Sequence, residues 1–421
     1  MRALKIAILG AGISGLSLFD ILGRQYNIKC DIYEKEKEIG GLCRTRIVNG
    51  YTYDISGGHV FNSRNEKIKE YVFDLLKPEE WVFSSRNAKI LFDNGLVIDY
   101  PFEFSLSKLP FETAFECIRD LFLRKNIEIK NLEDFFIYNF GNGIYKYYLK
   151  PYNEKIWKMD LHEMDFDWIH GKIPYPSVED IVRKILECDT SENNMVHSTF
   201  YYPIDGGINT LVNRIGKDVA REHIGEDVEK IEFVNSKIYV NGNKYDLVVN
   251  TIPLPELANK VQNLPKDIEN ALNNLKYNSL LTYIFPTERE NNWSWCYLPD
   301  KKIIPHRMMY QGNLSIKCAP EGKSSVTTEI TNPIDDEKII LENLKNYLGL
   351  DNPIDRHFTK YAYVVFDKNR KKNLDVIRSF FSNFNFILHG RFAEWDYPNM
   401  DICIERSLLL TGMIAEKSGI M

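Results

Sequence analysis

The sequence predicts an α/β protein built on a Rossmann-like dinucleotide-binding domain, discontinuous in the chain, with a mainly helical insertion and an antiparallel-sheet insertion. Three observations carry this. A strand, a glycine turn and a helix open the chain, buried-strand patterns return near residues 200 and 245, and a glycine–arginine turn precedes a terminal helix. The expected division is 1–85, 198–261 and 375–421 for the dinucleotide domain, 86–197 for the helical part and 262–374 for the sheet.

Residues 5–9 read as a buried strand running into Gly10-Ala11-Gly12-Ile13-Ser14-Gly15, and Leu16, Leu18 and Leu22 continue as a helix. Gly10 permits a tight turn, Gly12 lets backbone approach a pyrophosphate, and Gly15 lets the helix pack on the strand. The helix start at Ile13 and Ser14 then offers unpaired N–H groups to phosphates. A second strand, 29–33, ends at Glu34 and Lys35. An acid about 20 residues after the glycines is placed to accept ribose hydroxyls.

Composition limits the rest. At 421 residues, 44% hydrophobic and 27% charged, the chain fits a soluble globular protein of two or more domains. A net charge of −6 offers no broad field to nucleic acid or an anionic membrane, so an anionic ligand must be held by a few local Arg and Lys residues. Seven cysteines without CxxC spacing argue against a disulfide framework and a zinc site. With no signal-peptide layout and no membrane-length apolar run, a cytoplasmic protein is expected.

Along the chain, Gly40-Gly41-Leu42-Cys43-Arg44 follows the ribose acid, and Gly57-Gly58-His59 lets backbone pass close to something flat. His59 suits either a structural hydrogen bond or a place beside that flat group. Strands are expected in 81–99, with a turn at Asp93-Asn94-Gly95, and helices over 106–124 and 132–148. Trp157 and Trp168 suit either stacking on a base or sugar, or core packing. A helix is expected over 208–219, strands over 226–231, 237–240 and 245–251, then strands near 278–285, 295–298 and 324–330. The helix over 336–348 should present Ile339, Ile340, Leu344 and Leu348 to the core. Arg307 is either a phosphate-binding arginine or a solvated strand residue. The turn at Gly390-Arg391 leads to a helix whose start carries Asn399, Met400 and Asp401, placing donors where negative charge develops.

The spacing from Glu34 through Gly40-Gly41 to Arg44 resembles that of flavoproteins including amine oxidases and protoporphyrinogen oxidases, which implies FAD. Further motifs narrow the likeness: GGHVF, YPFEFSLSKL, LKPYNEKIW, YLPDKKIIPHR and GRFAEWDY. Together they resemble the UDP-galactopyranose mutase family, its eukaryotic branch more than its bacterial one. That likeness implies a reduced flavin acting as a nucleophile at a sugar's anomeric carbon, so that a nucleotide sugar interconverts between pyranose and furanose forms. It implies NAD(P)H as reductant and leaves a homo-oligomer open. It places His59, Arg391 and Tyr397 at the chemistry. It gives Gly10, Gly12, Ile13, Ser14, Gly15, Glu34, Lys35, Gly41, Leu42, Arg44, Gly58, Val228 and Met400 to FAD. It gives Trp157, Lys172, Arg307, Tyr397 and Asn399 to substrate. Three departures stand out: Lys172 and Asn278 occupy positions where the family has arginines, Pro305 or His306 stands where it has a tyrosine, and lysine cannot grip a phosphate bidentately. A FAD-dependent oxidase or dehydrogenase is the alternative expectation.

Overall fold

The computed structural model describes residues 4–124, 127–169, 175–191, 198–220, 223–235 and 237–417. Strand β1 (Ile6–Leu9) is buried on both faces, as a parallel central strand must be. Ala7 and Leu9 join one apolar core while Ile6 and Ile8 join another. Helix α1 (Ile13–Tyr26) crosses to β2 (Cys30–Tyr33), which pairs parallel with β1. The hairpin β3 (Thr45–Val48) and β4 (Tyr51–Asp54) follows, then α2 (Glu66–Leu75), capped by Asn65, and β5 (Trp81–Ser85).

Next, β6 (Ala88–Leu91) and β7 (Val97–Asp99) pair across the expected turn. The helical part contains α3 (Phe111–Phe122), α4 (Leu132–Ile144), a π-helical turn (Tyr145–Leu149), α5 (Lys150–Trp157) and α6 (Val178–Glu187). The chain returns through β8 (Thr199–Pro203), antiparallel to β5, and α7 (Asn209–Ile215). A small antiparallel sheet of β9 (Ile231–Val234), β10 (Lys237–Val240) and β11 (Asn243–Tyr245) precedes β12 (Leu247–Asn250). The expected strand over 226–231 is a correction. Residues 226–230 are not paired as a strand, because the Asn241 side chain accepts from the Glu229 and Lys230 N–H groups instead.

Helices α8 (Leu254–Lys260) and α9 (Lys266–Asn273) lead into β13 (Tyr277–Glu288), β14 (Trp295–Tyr297), β15 (Arg307–Met309), α10 (Gln311–Leu314) and β16 (Lys323–Thr331). Then come α11 (Glu337–Leu348), β17 (Asp355–Val364), α12 (Arg370–Phe381), β18 (Phe386–Leu388) and α13 (Met400–Lys417). On α11, Ile340 and Leu344 are buried but Ile339 is exposed, one residue too far round the helix for the core.

The dinucleotide domain's sheet runs β18-β12-β1-β2, all parallel. The larger sheet runs β17-β13-β16-β15-β14-β6-β7 and is antiparallel except for the β14·β6 pair, through which residues 88–99 join it. No helix among the described residues is long and apolar enough to cross a membrane.

Candidate functional site

One cleft of about 740 Å³ runs from the glycine turn after β1 to an aromatic chamber between α5 and the large sheet. At its first end Gly10 has φ +98°, and an added Cβ would lie 2.6 Å from the Thr251 hydroxyl, so only glycine makes this turn. Gly12 caps α1 with no side-chain hydrogen bond, and the first turn of α1 holds no acid. The N–H groups at Ile13 and Ser14 are therefore left to an anion. Gly41 faces Gly12 so closely that a Cβ on Gly41 would meet the Gly12 Cα at 3.0 Å. Gly15 does not line the cleft; its Cβ would sit 2.1 Å from the Gly10 carbonyl, so it serves helix–strand packing, the role expected of it.

Glu34 stands at the end of β2, accepting from the Ala11 and Glu36 N–H groups at 2.9 and 3.0 Å. Burial raises its carboxyl pKa against those hydrogen bonds. Lys35, Leu42, Arg44 and Val228 line the same end. Arg44 donates to the Gly41 carbonyl at 3.0 Å, which ties it to the glycine pair.

The glycines before His59 make room for protein side chains, and Gly58 also lines the cleft. A Cβ on Gly57 would lie 3.1 Å from the Glu329 carboxylate, and one on Gly58 would lie 2.2 Å from the Met309 methyl carbon. His59 Nδ1 donates to the Gly57 carbonyl at 2.7 Å. Burial pushes its pKa to about 4, so the ring is neutral and Nε2 is left as an acceptor. Asp54 anchors this loop, accepting from the His59 N–H and from the Thr45 and Tyr202 hydroxyls.

Arg391 enters from the turn after β18. Gly390, at φ +88°, lets that turn close on Ser14, whose Oγ would lie 2.5 Å from an added Cβ. The Arg391 guanidinium donates to the Ala362 carbonyl at 2.8 Å and lies 4.1 Å over the Tyr397 ring, a cation–π contact. Its Nε is buried without a hydrogen-bond partner. Such an orphaned donor is costly unless something fills the cleft. The turn contains Trp395 at φ +52°, a strained conformation for a bulky residue. Three arginines hold it from behind: Arg370 on the Trp395 carbonyl, Arg378 on the Glu394 carbonyl, and Arg406 on the Glu394 and Asp396 carboxylates.

Tyr397 lies edge-on to Trp157 and Trp168, with ring centroids 5.8 and 6.3 Å away, and tilted against Tyr363 at 6.1 Å. Both tryptophans are thus buried and cleft-lining at once. Asn278 does not reach the cleft. Its amide donates to the Ile156 and Trp157 carbonyls at 3.0 and 2.8 Å and closes the end of α5 that carries Trp157. Asn399 and Met400 line the cleft at the start of α13, while Lys172 lies outside the described residues.

Arg307 is partly exposed to the cleft but is not free. It makes a two-pronged ion pair with Glu329 at 3.0 and 2.8 Å. His306 and Tyr363 approach the same carboxylate at 3.5 and 3.4 Å. Burial would raise the Glu329 carboxyl, but Arg307 and His306 outweigh it and hold it at about 2. Beyond Arg307 the chamber wall stacks Phe102 on Tyr148 and Tyr148 on Tyr152 at 5.0 and 5.6 Å. Sequence reasoning missed Glu329, Asp54 and Tyr363. A lone acid within the otherwise uncharged run Ser324 to Thr331 was the available sign for Glu329.

The buried histidines make stability pH-dependent. His389 is 2% exposed, and burial lowers its pKa to about 4; His59 and His357 shift the same way. An unfolded histidine takes its proton near pH 6.5. Between about 6.5 and 4 the unfolded chain therefore binds more protons, and stability falls as pH is lowered. Burial raises Asp54 to about 6, which works in the opposite direction between about 6 and 4. At pH 5 the expected loss is about 2 kcal/mol for His389, partly offset by about 1 kcal/mol from Asp54. Urea midpoints at pH 7 and pH 5 check this, and unchanged midpoints would refute it.

Residues 8–75 match the NAD(P)-binding Rossmann-like domain family. The chain superposes on reduced UDP-galactopyranose mutase with a TM-score of 0.88 at 21% identity, covering 99% of this chain and 95% of that one. A protein from Exiguobacterium sp. 255-15, assigned as a protoporphyrinogen oxidase, superposes with a TM-score of 0.74 at 16% identity, covering 99% and 100%. Protoporphyrinogen oxidase from Dictyostelium discoideum is 21% identical over 352 residues, 66% of this chain, and the chain spans 65% of that relative's length. The chain therefore has a UDP-galactopyranose mutase-like fold, one it shares with the Exiguobacterium protein.

Proposed function

We propose that this chain is an FAD-dependent nucleotide-sugar mutase of the UDP-galactopyranose mutase type, interconverting pyranose and furanose forms of its sugar. The observation that carries the reading is one continuous cleft joining a dinucleotide cradle to an aromatic chamber, with the Arg391–Tyr397 pair between them. The cradle fits FAD: Gly12 and Gly41 leave bare backbone beside an uncapped helix start, Glu34 ends β2, and the buried Arg391 Nε lacks a partner.

When bound and reduced, the flavin supplies a nucleophilic N5 for the anomeric carbon, with no net oxidation. The geometry supports the following parts for the protein itself. The start of α1 would hold the cofactor's pyrophosphate and Glu34 its ribose hydroxyls. Arg391, fixed by the Ala362 carbonyl and the Tyr397 ring, neutralises the departing diphosphate. Neutral His59, which lines the cleft, would offer Nε2 as an acceptor to the cofactor. Arg307 adds a second positive group whose direction Glu329 sets, and Trp157 and Tyr397 bound the substrate's path and exclude water.

A second reading, an oxidase or dehydrogenase, is favoured by the two protoporphyrinogen oxidase likenesses and by Asn278, which caps a helix and offers the cleft no charge. One experiment separates the two. Dithionite-reduced holoprotein is incubated anaerobically with a panel of nucleotide sugars, and the products are separated by ring size. A ring isomer formed without net flavin oxidation supports the mutase. No isomer from any sugar, together with flavin reduction by an amine or porphyrinogen in the oxidised protein, supports the oxidase.

A further inference from the structure

A second cavity, of about 640 Å³, lies behind the turn that carries Arg391 and Tyr397. Its apolar lining includes Phe366, Phe381 and Phe386, each at most 4% exposed. Trp168 lines both this cavity and the cleft, so one side chain bounds the two spaces. Its indole Nε1 is buried with no hydrogen-bond partner among the described residues. The volume suits a small organic molecule, whose pockets run to roughly 300–1,000 Å³.

The charges around this cavity are unevenly spent. Arg406 holds Glu394 and Asp396. Lys371, which does not line the cavity, holds Asp167 at 2.6 Å and Asp165 at 3.1 Å. Arg370 and Arg378 have no carboxylate within ion-pair distance among the described residues. Arg370 donates twice to the Trp395 carbonyl and lies 4.0 Å over the Phe366 ring. Arg378 donates once to the Glu394 carbonyl, at 3.2 Å. A guanidinium carries five N–H donors, so each keeps most of its own. Burial lowers the Arg370 pKa and Asp396 opposes it, with the like charge of Arg378 adding to the lowering. Two guanidiniums that repel each other thus share one cavity with a set of phenylalanine rings.

We propose that this cavity binds a phosphate monoester with an aromatic body. A monoester is close to a dianion near pH 7. Its charge matches the two arginines, and its terminal oxygens accept from a planar fork on each side. A monocarboxylate brings one charge and two oxygens, and a neutral ligand leaves the like-charged pair uncompensated. The three carboxylates that line the cavity do not exclude an anion, because each already has its own cation. An aromatic body is removed from water against Phe366, Phe381 and Phe386. The site is separate from the dinucleotide cradle and independent of the reaction the cleft performs.

Isothermal titration of the full-length holoprotein with phenyl phosphate, inorganic phosphate and benzoate tests this. Phenyl phosphate is expected to bind more tightly than inorganic phosphate, which lacks the body, and than benzoate, which lacks the second charge. Arg378→Gln weakens phenyl phosphate by at least about tenfold, the loss of one charge-assisted hydrogen bond. The fold survives this change, because the Arg378 side chain is exposed and makes a single long hydrogen bond. Arg370→Lys keeps the charge but loses the fork, and weakens binding similarly. No binding of phenyl phosphate at about 10 mM overturns the proposal. Undiminished affinity in Arg378→Gln overturns it too, by assigning the anion to the cleft, as does benzoate or inorganic phosphate binding as tightly as phenyl phosphate.

Discussion

Arg391→Ala lowers turnover of the reduced holoprotein by about 10²–10³, the loss expected when one buried donor aimed at developing charge is removed. The side chain is fixed at two points, the Ala362 carbonyl and the Tyr397 ring, and its Nε is buried without a partner. Arg391→Lys keeps the charge but loses the planar fork that spans these points, so it recovers only a small part of the rate. Flavin content of the purified variants separates the roles, because the α1 cradle is untouched and FAD is retained. Steady-state kinetics on the substrate identified by the ring-isomer experiment is the measurement. Wild-type turnover in Arg391→Ala would remove this residue from the chemistry.

Glu329→Ala is expected to cost about 3 kcal/mol of stability, because it leaves the three-quarters-buried Arg307 guanidinium beside no carboxylate. Glu329 is fully buried and meets Arg307 through two hydrogen bonds. The paired replacement Glu329→Ala/Arg307→Met removes both charges and loses clearly less than Glu329→Ala alone, since desolvation of the lone arginine dominates the single variant. Urea denaturation of the three proteins measures this. The sign with pH is also set. The carboxyl is held at about 2 against an ordinary 4.5, so its contribution is complete above pH 4.5 and is lost as pH falls towards 2. Equal losses in the single and double variants would refute the coupling.

The two glycine motifs show where local reading succeeds and where it stops. Gly10, Gly12 and Gly15 were legible because strand, turn and helix are neighbours in the chain, and each glycine's role follows from backbone geometry over a dozen residues. Gly57 and Gly58 were equally visible, but the side chains they make room for, Met309 and Glu329, are far away in the chain. Arg307 shows the same limit: its type and strand were readable, its buried partner was not. Asn278 was legible as a departure from a resemblance, yet only the packing of β13 against α5 shows that its amide closes the helix end.

The sequence by itself determined the parallel dinucleotide sheet, the uncapped start of α1, the acid at the end of β2 and the glycine–arginine turn before α13, because hydrophobic period and backbone freedom act over short spans. The tertiary structure alone decided that Arg391 lies over Tyr397, that Arg307 is held by Glu329, that His59 is neutral, and that Arg370 and Arg378 share a second cavity. Those outcomes depend on burial and on which charges meet across elements far apart in the chain, and no local pattern of residues encodes them.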